Sequence, residues 1–202
     1  GIALFSFLVI FYGITWGRCN YKIERQQVCI KELPDNFNGY RIVQLTDLHL
    51  GSYGEHYPGI KKLVEEVNAL NPDLIVFTGD MVNSFASEMN PWIDQLKELK
   101  AKYGVYSSTG NHDYGTYVRW ATREEQADNL KQFFKNMEAA GFHMLNNTNV
   151  PLVIDTDTIY LAGVENCGRP PFPCFGNLPQ ALQGTEGHTV ILLSHDPSHW
   201  RD

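Results

Sequence analysis

Four short polar clusters in this chain carry the residue types of metal chemistry: Asp47-Leu48-His49, Gly79-Asp80, Gly110-Asn111-His112-Asp113 and His195-Asp196. Each follows directly on an apolar run, RIVQLT, DLIVFT, GVYSST and TVILLS respectively. Carboxylate oxygens, imidazole nitrogens and an amide oxygen suit Mn, Fe or Zn, and the absence of Cys from the clusters argues against a thiolate zinc site or an iron–sulfur centre. A carboxylate has two oxygens, so one Asp can bridge two divalent cations about 3.5–4 Å apart, a spacing that stabilises both the attacking and the leaving oxygen in a displacement at phosphorus. The departing alkoxide then needs a proton. His112, next to Asn111 and followed by Asp113 to orient its ring, is the candidate donor.

Taken singly, each cluster has an ordinary explanation. Asp-x-His and Gly-Asp make turns, Asn-His-Asp makes a helix cap or Asx-turn, and His195 makes a satisfied core histidine. Their joint occurrence, each at the end of an apolar run, is what turns them into a site. A serine hydrolase built on Ser194-His195-Asp196 fails on geometry, because neighbours on an extended strand point to opposite sides and no Gly-x-Ser-x-Gly elbow is present. The competing reading is a non-catalytic metal-binding interaction module, which has no physical need for a proton-donating histidine beside a set of ligands.

The elements that must position these clusters alternate along the chain. Strands are predicted at 41–46, 73–78, 104–107, 158–163 and 189–193, and helices at 57–70, 91–100 and 123–140, an α/β layered pattern. Ile60, Leu63, Val64, Val67 and Leu70 fall on one stripe of the first helix, which Asn71-Pro72 ends. In such folds ligands gather beyond the carboxyl ends of the strands, where the four clusters lie.

These residues resemble the calcineurin-like metallophosphoesterases, over roughly residues 38–202, and the phrases QLTDLHLG, PDLIVFTGD, STGNHDYG and ILLSHDP resemble the membrane-associated bacterial branch with phosphodiesterases and UDP-2,3-diacylglucosamine hydrolases. The resemblance implies that Asp47 and His49 hold one metal, Asp80 bridges, Asn111 and His195 hold the second, and His112 with Asp113 assists the leaving group. It also implies a four-layer α/β/β/α sandwich of two mixed sheets. The family's final Gly-His-Thr-His motif, which gives one further histidine to each metal, does not occur before Asp202, so the expectation is a domain incomplete at its C-terminus that binds metal weakly and turns over poorly. His56, His143, His188 and His199 read as surface or structural residues, with His56 and His199 retained as candidates for the cleft.

Residues 1–17 contain no charge, which predicts a transmembrane helix over 1–18, truncated at its start, with Tyr12 and Trp16 at the interface. Residues 19–38 read as a juxtamembrane segment and 39–202 as the metallophosphoesterase domain. Arg18, Lys22, Arg25 and Lys31, opposed by Glu24, place the domain in the cytoplasm by the positive-inside rule. Sixteen Lys and Arg against 23 Asp and Glu leave a formal charge of −7, which disfavours a nucleic-acid partner and leaves a phosphorylated small molecule or lipid as substrate. Substrate contacts are assigned to Tyr114, Arg119 and Arg123, in a loop that also holds Tyr117 and Trp120; the Pro-rich loop Cys167 to Gln180, with Arg169, Phe172 and Phe175, is a candidate cleft wall. Cys167 and Cys174 are expected to be reduced unless the domain is exported.

Overall fold

The computed structural model describes residues 1–15, 17, 20–170 and 173–198; Trp16, Arg18, Phe172 and His199, which the sequence singles out, lie outside the described residues. Two sheets form the domain. The first holds β1 (Ile42–Leu45), β2 (Leu74–Phe77), β3 (Val105–Ser107) and β4 (His143–Met144) in that spatial order, all parallel. The second holds β5 (Thr148–Ile154), β6 (Asp157–Gly163) and β7 (Val190–Leu193), with β5 antiparallel and β7 parallel to β6. Only the second sheet is mixed, which corrects the expectation of two mixed sheets. After each of the first three strands the chain crosses back before pairing again, and that connection makes neighbours parallel.

Period-two alternation sorts β2 between two cores. Ile75 and Phe77 face α2 (Gly59–Ala69) and α4 (Arg123–Ala139), among Ile60, Val64, Phe133 and Met137. Leu74 and Val76 face the second sheet, among Leu152, Ile159, Leu161 and Leu193. Three layers of the expected sandwich are therefore built. On the far side of the second sheet, the described residues supply the single turn α5 (Leu178–Ala181), held to β5 by Asn149 Nδ2 donating to Ala181 O at 2.7 Å.

Local signals explain the ends of α4. Thr122 accepts from Glu125 N at 3.1 Å as N-cap, Glu124 and Glu125 favour the positive end of the helix dipole, and Gly141 at φ +86° lets the chain turn away. The helix predicted at 91–100 shrinks to α3 (Ile93–Leu96).

At the N-terminus, α1 (Ile2–Thr15) has no buried residue. Its 14 residues rise about 21 Å, short of the roughly 30 Å hydrocarbon core, and among the described residues no helix is long and apolar enough to cross a membrane. The spanning helix expected over 1–18 is not found among them. Cys167 and Cys174 form a disulfide, against the expectation that they are reduced.

Candidate metal centre

The loops leaving β1 and β2 run on together as if the strands continued. Asp47 N donates to Gly79 O at 3.0 Å and His49 N to Asp80 O at 3.1 Å. Asp47, His49 and Asp80 all sit at positive φ, +53°, +44° and +61°. Such left-handed backbone is costly for residues with a Cβ and persists where the surroundings impose it, as at functional sites. Glycines make the third loop fit. A Cβ on Gly110 would run into the Asp80 carboxylate, and one on Gly79 into the Gly110 backbone and the His195 ring.

The result is a convergence on Asp80, which is 3 % exposed. Its Oδ2 lies 3.5 Å from His49 Nε2 and 3.4 Å from His195 Nε2, while Oδ1 accepts from His112 N at 2.9 Å. His49 Nε2 is 3.8 Å from Asp47 Oδ1, and the Thr46 hydroxyl holds Asp47 Oδ2 at 2.6 Å. His195 Nε2 is 3.0 Å from Asn111 Oδ1, and its Nδ1 donates to Thr78 O at 2.8 Å, leaving Nε2 as the ligand nitrogen. Two triads, His49 with Asp80 and His112, and Asp47 with Asp80 and His195, each bring one donor atom per residue within 4.8 Å of the others. Asp80 belongs to both. The donor chemistry therefore fits divalent cations bound through oxygen and imidazole nitrogen.

Electrostatics follow from this crowding. Burial works to raise the Asp80 pKa, but the His195 hydrogen bond, the His112 backbone N–H and the two imidazoles outweigh it and hold the group below its ordinary value. Burial alone would lower His195, yet the Asp80 carboxylate raises it to about 9.

Asp113 does something other than orient His112. Its buried carboxylate accepts from Gly110 N at 2.8 Å, Asp80 N at 3.0 Å, Met81 N at 2.9 Å and Val82 N at 3.4 Å, stapling the loop after β3 to the loop after β2. The His112 ring is oriented by Asn83 O, 2.7 Å from Nδ1, and by a perpendicular contact with His49, whose ring centre is 4.7 Å away. A carbonyl only accepts, so Nδ1 carries the proton and Nε2 is the nitrogen left for chemistry.

Tyr114, expected at the substrate, has its hydroxyl turned inward. It is buried, its hydroxyl 2.7 Å from Thr109 Oγ1 and donating to Glu165 Oε1 at 2.9 Å, with its ring stacked on Phe175. Arg119 and Arg123 are exposed and make no hydrogen bond or ion pair with the cluster among the described residues. Asp196 forms a turn, accepting from Ser198 N at 2.8 Å. Tyr117, from the loop expected to contact substrate, stacks its ring on His112 at 4.4 Å and accepts from Asn111 Nδ2 at 2.7 Å with its hydroxyl.

Residues 40–202 match the family model described as calcineurin-like phosphoesterase. The chain belongs to the calcineurin-like phosphoesterase family. Within it, the chain is 32% identical over 195 residues to the "Transmembrane protein with metallophosphoesterase domain" of Danio rerio, covering 92% of this chain and 41% of the relative. It is 36% identical over 184 residues to the "Uncharacterized metallophosphoesterase YkuE" of Bacillus subtilis, covering 88% of this chain and 58% of the relative. With the "UDP-2,3-diacylglucosamine pyrophosphatase LpxG" of Chlamydia trachomatis it shares 40% identity over 208 residues, covering 82% of this chain and 60% of the relative. This calcineurin-like phosphoesterase chain thus spans about two fifths of the vertebrate relative's length.

Proposed function

We propose that the chain carries a metal-dependent hydrolase of phosphodiester or pyrophosphate bonds, working through two divalent cations. The observation that carries this reading is one buried carboxylate, Asp80, between two imidazoles delivered by different sheets, His49 at 3.5 Å and His195 at 3.4 Å. Asp47 and His49 would hold one cation, Asn111 and His195 the other, with Asp80 shared. Bound cations lower the pKa of water and neutralise charge building on the phosphoryl oxygens.

The chain's own residues supply the rest. His112, fixed through Nδ1 by Asn83 O, presents Nε2, which in the doubly protonated ring would carry the proton given to the departing oxygen and then be left as a bare acceptor. Asp113 keeps the loops carrying Asp80 and Asn111 in register. The pyrophosphatase name of the Chlamydia relative supports a nucleotide-linked lipid pyrophosphate as the substrate class. Exposed apolar α1 and the transmembrane name of the Danio rerio relative support a place at a membrane. The Cys167–Cys174 bridge favours an oxidising compartment over the cytoplasm suggested by the basic flank.

The test is hydrolysis of bis(p-nitrophenyl) phosphate and of a UDP-linked sugar by the purified chain. Chelation should abolish turnover, Mn should restore it, and Asp80→Asn should lose both turnover and Mn binding. Turnover that survives exhaustive chelation, or an Asp80→Asn chain that binds Mn as the wild type does, would overturn this reading.

A further inference from the structure

The loop that follows the Asn-His-Asp turn brings Tyr117 back over the cluster. Tyr117 is 47 % exposed, so it does not fill the core, whereas Tyr114, three residues earlier, is 6 % exposed and does. An exposed aromatic ring laid flat on an imidazole, interplanar angle 26°, with its hydroxyl tied to a neighbouring amide, contributes little to folding. What it constrains is the site.

An Asn side chain has two ends of nearly equal size and opposite hydrogen-bonding character, so packing by itself does not choose which end faces a cation. With Nδ2 donating to the Tyr117 hydroxyl at 2.7 Å, the Asn111 oxygen is the end turned to His195 Nε2, 3.0 Å away. We propose that Tyr117 is a positioning residue: its hydroxyl tethers the Asn111 amide in the place where its oxygen meets His195, and its ring, stacked on His112, restrains that imidazole. His112 is then held by His49 perpendicular at 4.7 Å, Tyr117 stacked at 4.4 Å and Asn83 O. This inference rests on the metal-dependent reading above, although its first half concerns the amide alone.

Two variants of the full chain separate the two roles. Tyr117→Phe removes the hydroxyl and keeps the ring; Tyr117→Leu removes both. In the metal-free protein, Tyr117→Phe should shift the Asn111 side-chain amide resonances, while Tyr114→Phe should not. In Mn titration calorimetry, Tyr117→Phe should bind about tenfold or more weaker, the size of effect seen when a partner orienting a ligand is lost. With bis(p-nitrophenyl) phosphate at saturating Mn, Tyr117→Leu should lower kcat beyond Tyr117→Phe at similar KM, because His112 loses its support. Unchanged Asn111 resonances together with Mn affinity within about twofold of wild type would overturn the inference. A wild-type chain that neither binds Mn nor hydrolyses the ester would instead overturn the proposed function, and the metal-free Asn111 resonances would still decide whether Tyr117 sets the amide.

Discussion

At the scale of single residues, Asp113 shows how adjacency misleads. It follows His112 directly, yet its carboxylate turns inward to backbone N–H groups of two loops, because neighbours in the tight turn at His112–Tyr114 project in different directions. Burial pushes its pKa up to about 7, against the pull of the Gly110, Asp80 and Val82 N–H donors. Replacing it with Asn keeps the size but turns an NH2 toward groups that are themselves donors. Asp113→Asn should therefore cost about 2–4 kcal/mol of stability, the loss of hydrogen bonds to a buried acceptor plus unsatisfied donors. Urea denaturation measures this. A variant as stable as wild type would mean that the staple contributes nothing. The convergence of Asp47, His49, Asp80 and His195 was legible because their clusters each follow an apolar run, and their proposed role as ligands rests on that convergence. Tyr117 was not, since its role depends on the path of an irregular loop for which sequence periodicity has no signal.

At the scale of elements, the strands that deliver the site and the central strand of the second sheet were readable, whereas β4 and β5 were not. RIVQLT, DLIVFT and TVILLS contain β1, β2 and β7. β4 has two residues, too few for a pattern, and β5 carries Pro151, which an edge strand tolerates because no partner requires its missing N–H. The Pro-rich segment read as irregular is irregular up to α5, but it is also clamped. The Cys167–Cys174 bridge closes it, Phe175 stacks on Tyr114, and Asn147 reaches Phe175 O at 3.1 Å and Asn177 N at 2.7 Å. Closing so short a loop stabilises by about 2–3 kcal/mol in the chain-entropy account. Cys167→Ser with Cys174→Ser should lower the unfolding free energy from urea denaturation by that amount while leaving Mn affinity unchanged, because no proposed ligand lies on the segment. Loss of Mn affinity would show that the clamp reaches the ligands through Tyr114 and Thr109.

At the scale of the whole molecule, the proposed ligand set would tie the two sheets together. Asp47, Asp80 and Asn111 follow β1, β2 and β3 of the first sheet, and His195 follows β7 of the second, yet Asp47, Asp80 and His195 bring donor atoms within 4.8 Å of one another and Asn111 Oδ1 lies 3.0 Å from His195 Nε2. The sheets already share the core around Leu74, Val76, Leu161 and Leu193. A cation bound by this set binds the folded state alone, since unfolding separates donors that lie far apart along the chain. At 100-fold excess over its dissociation constant, it should stabilise by about 2.7 kcal/mol per site. For a domain of this size each kcal/mol moves Tm by about 2–4 °C, so one occupied site should raise Tm by roughly 5–11 °C. Scanning calorimetry with and without Mn reads this directly. Asp80→Asn should remove the Mn-dependent rise, and His195→Ala should remove the part belonging to the cation that spans the sheets. A Tm indifferent to Mn in the wild-type chain, under conditions where calorimetric titration detects binding, would mean that the donors assemble only weakly in the folded state and that the two sheets are not joined through them.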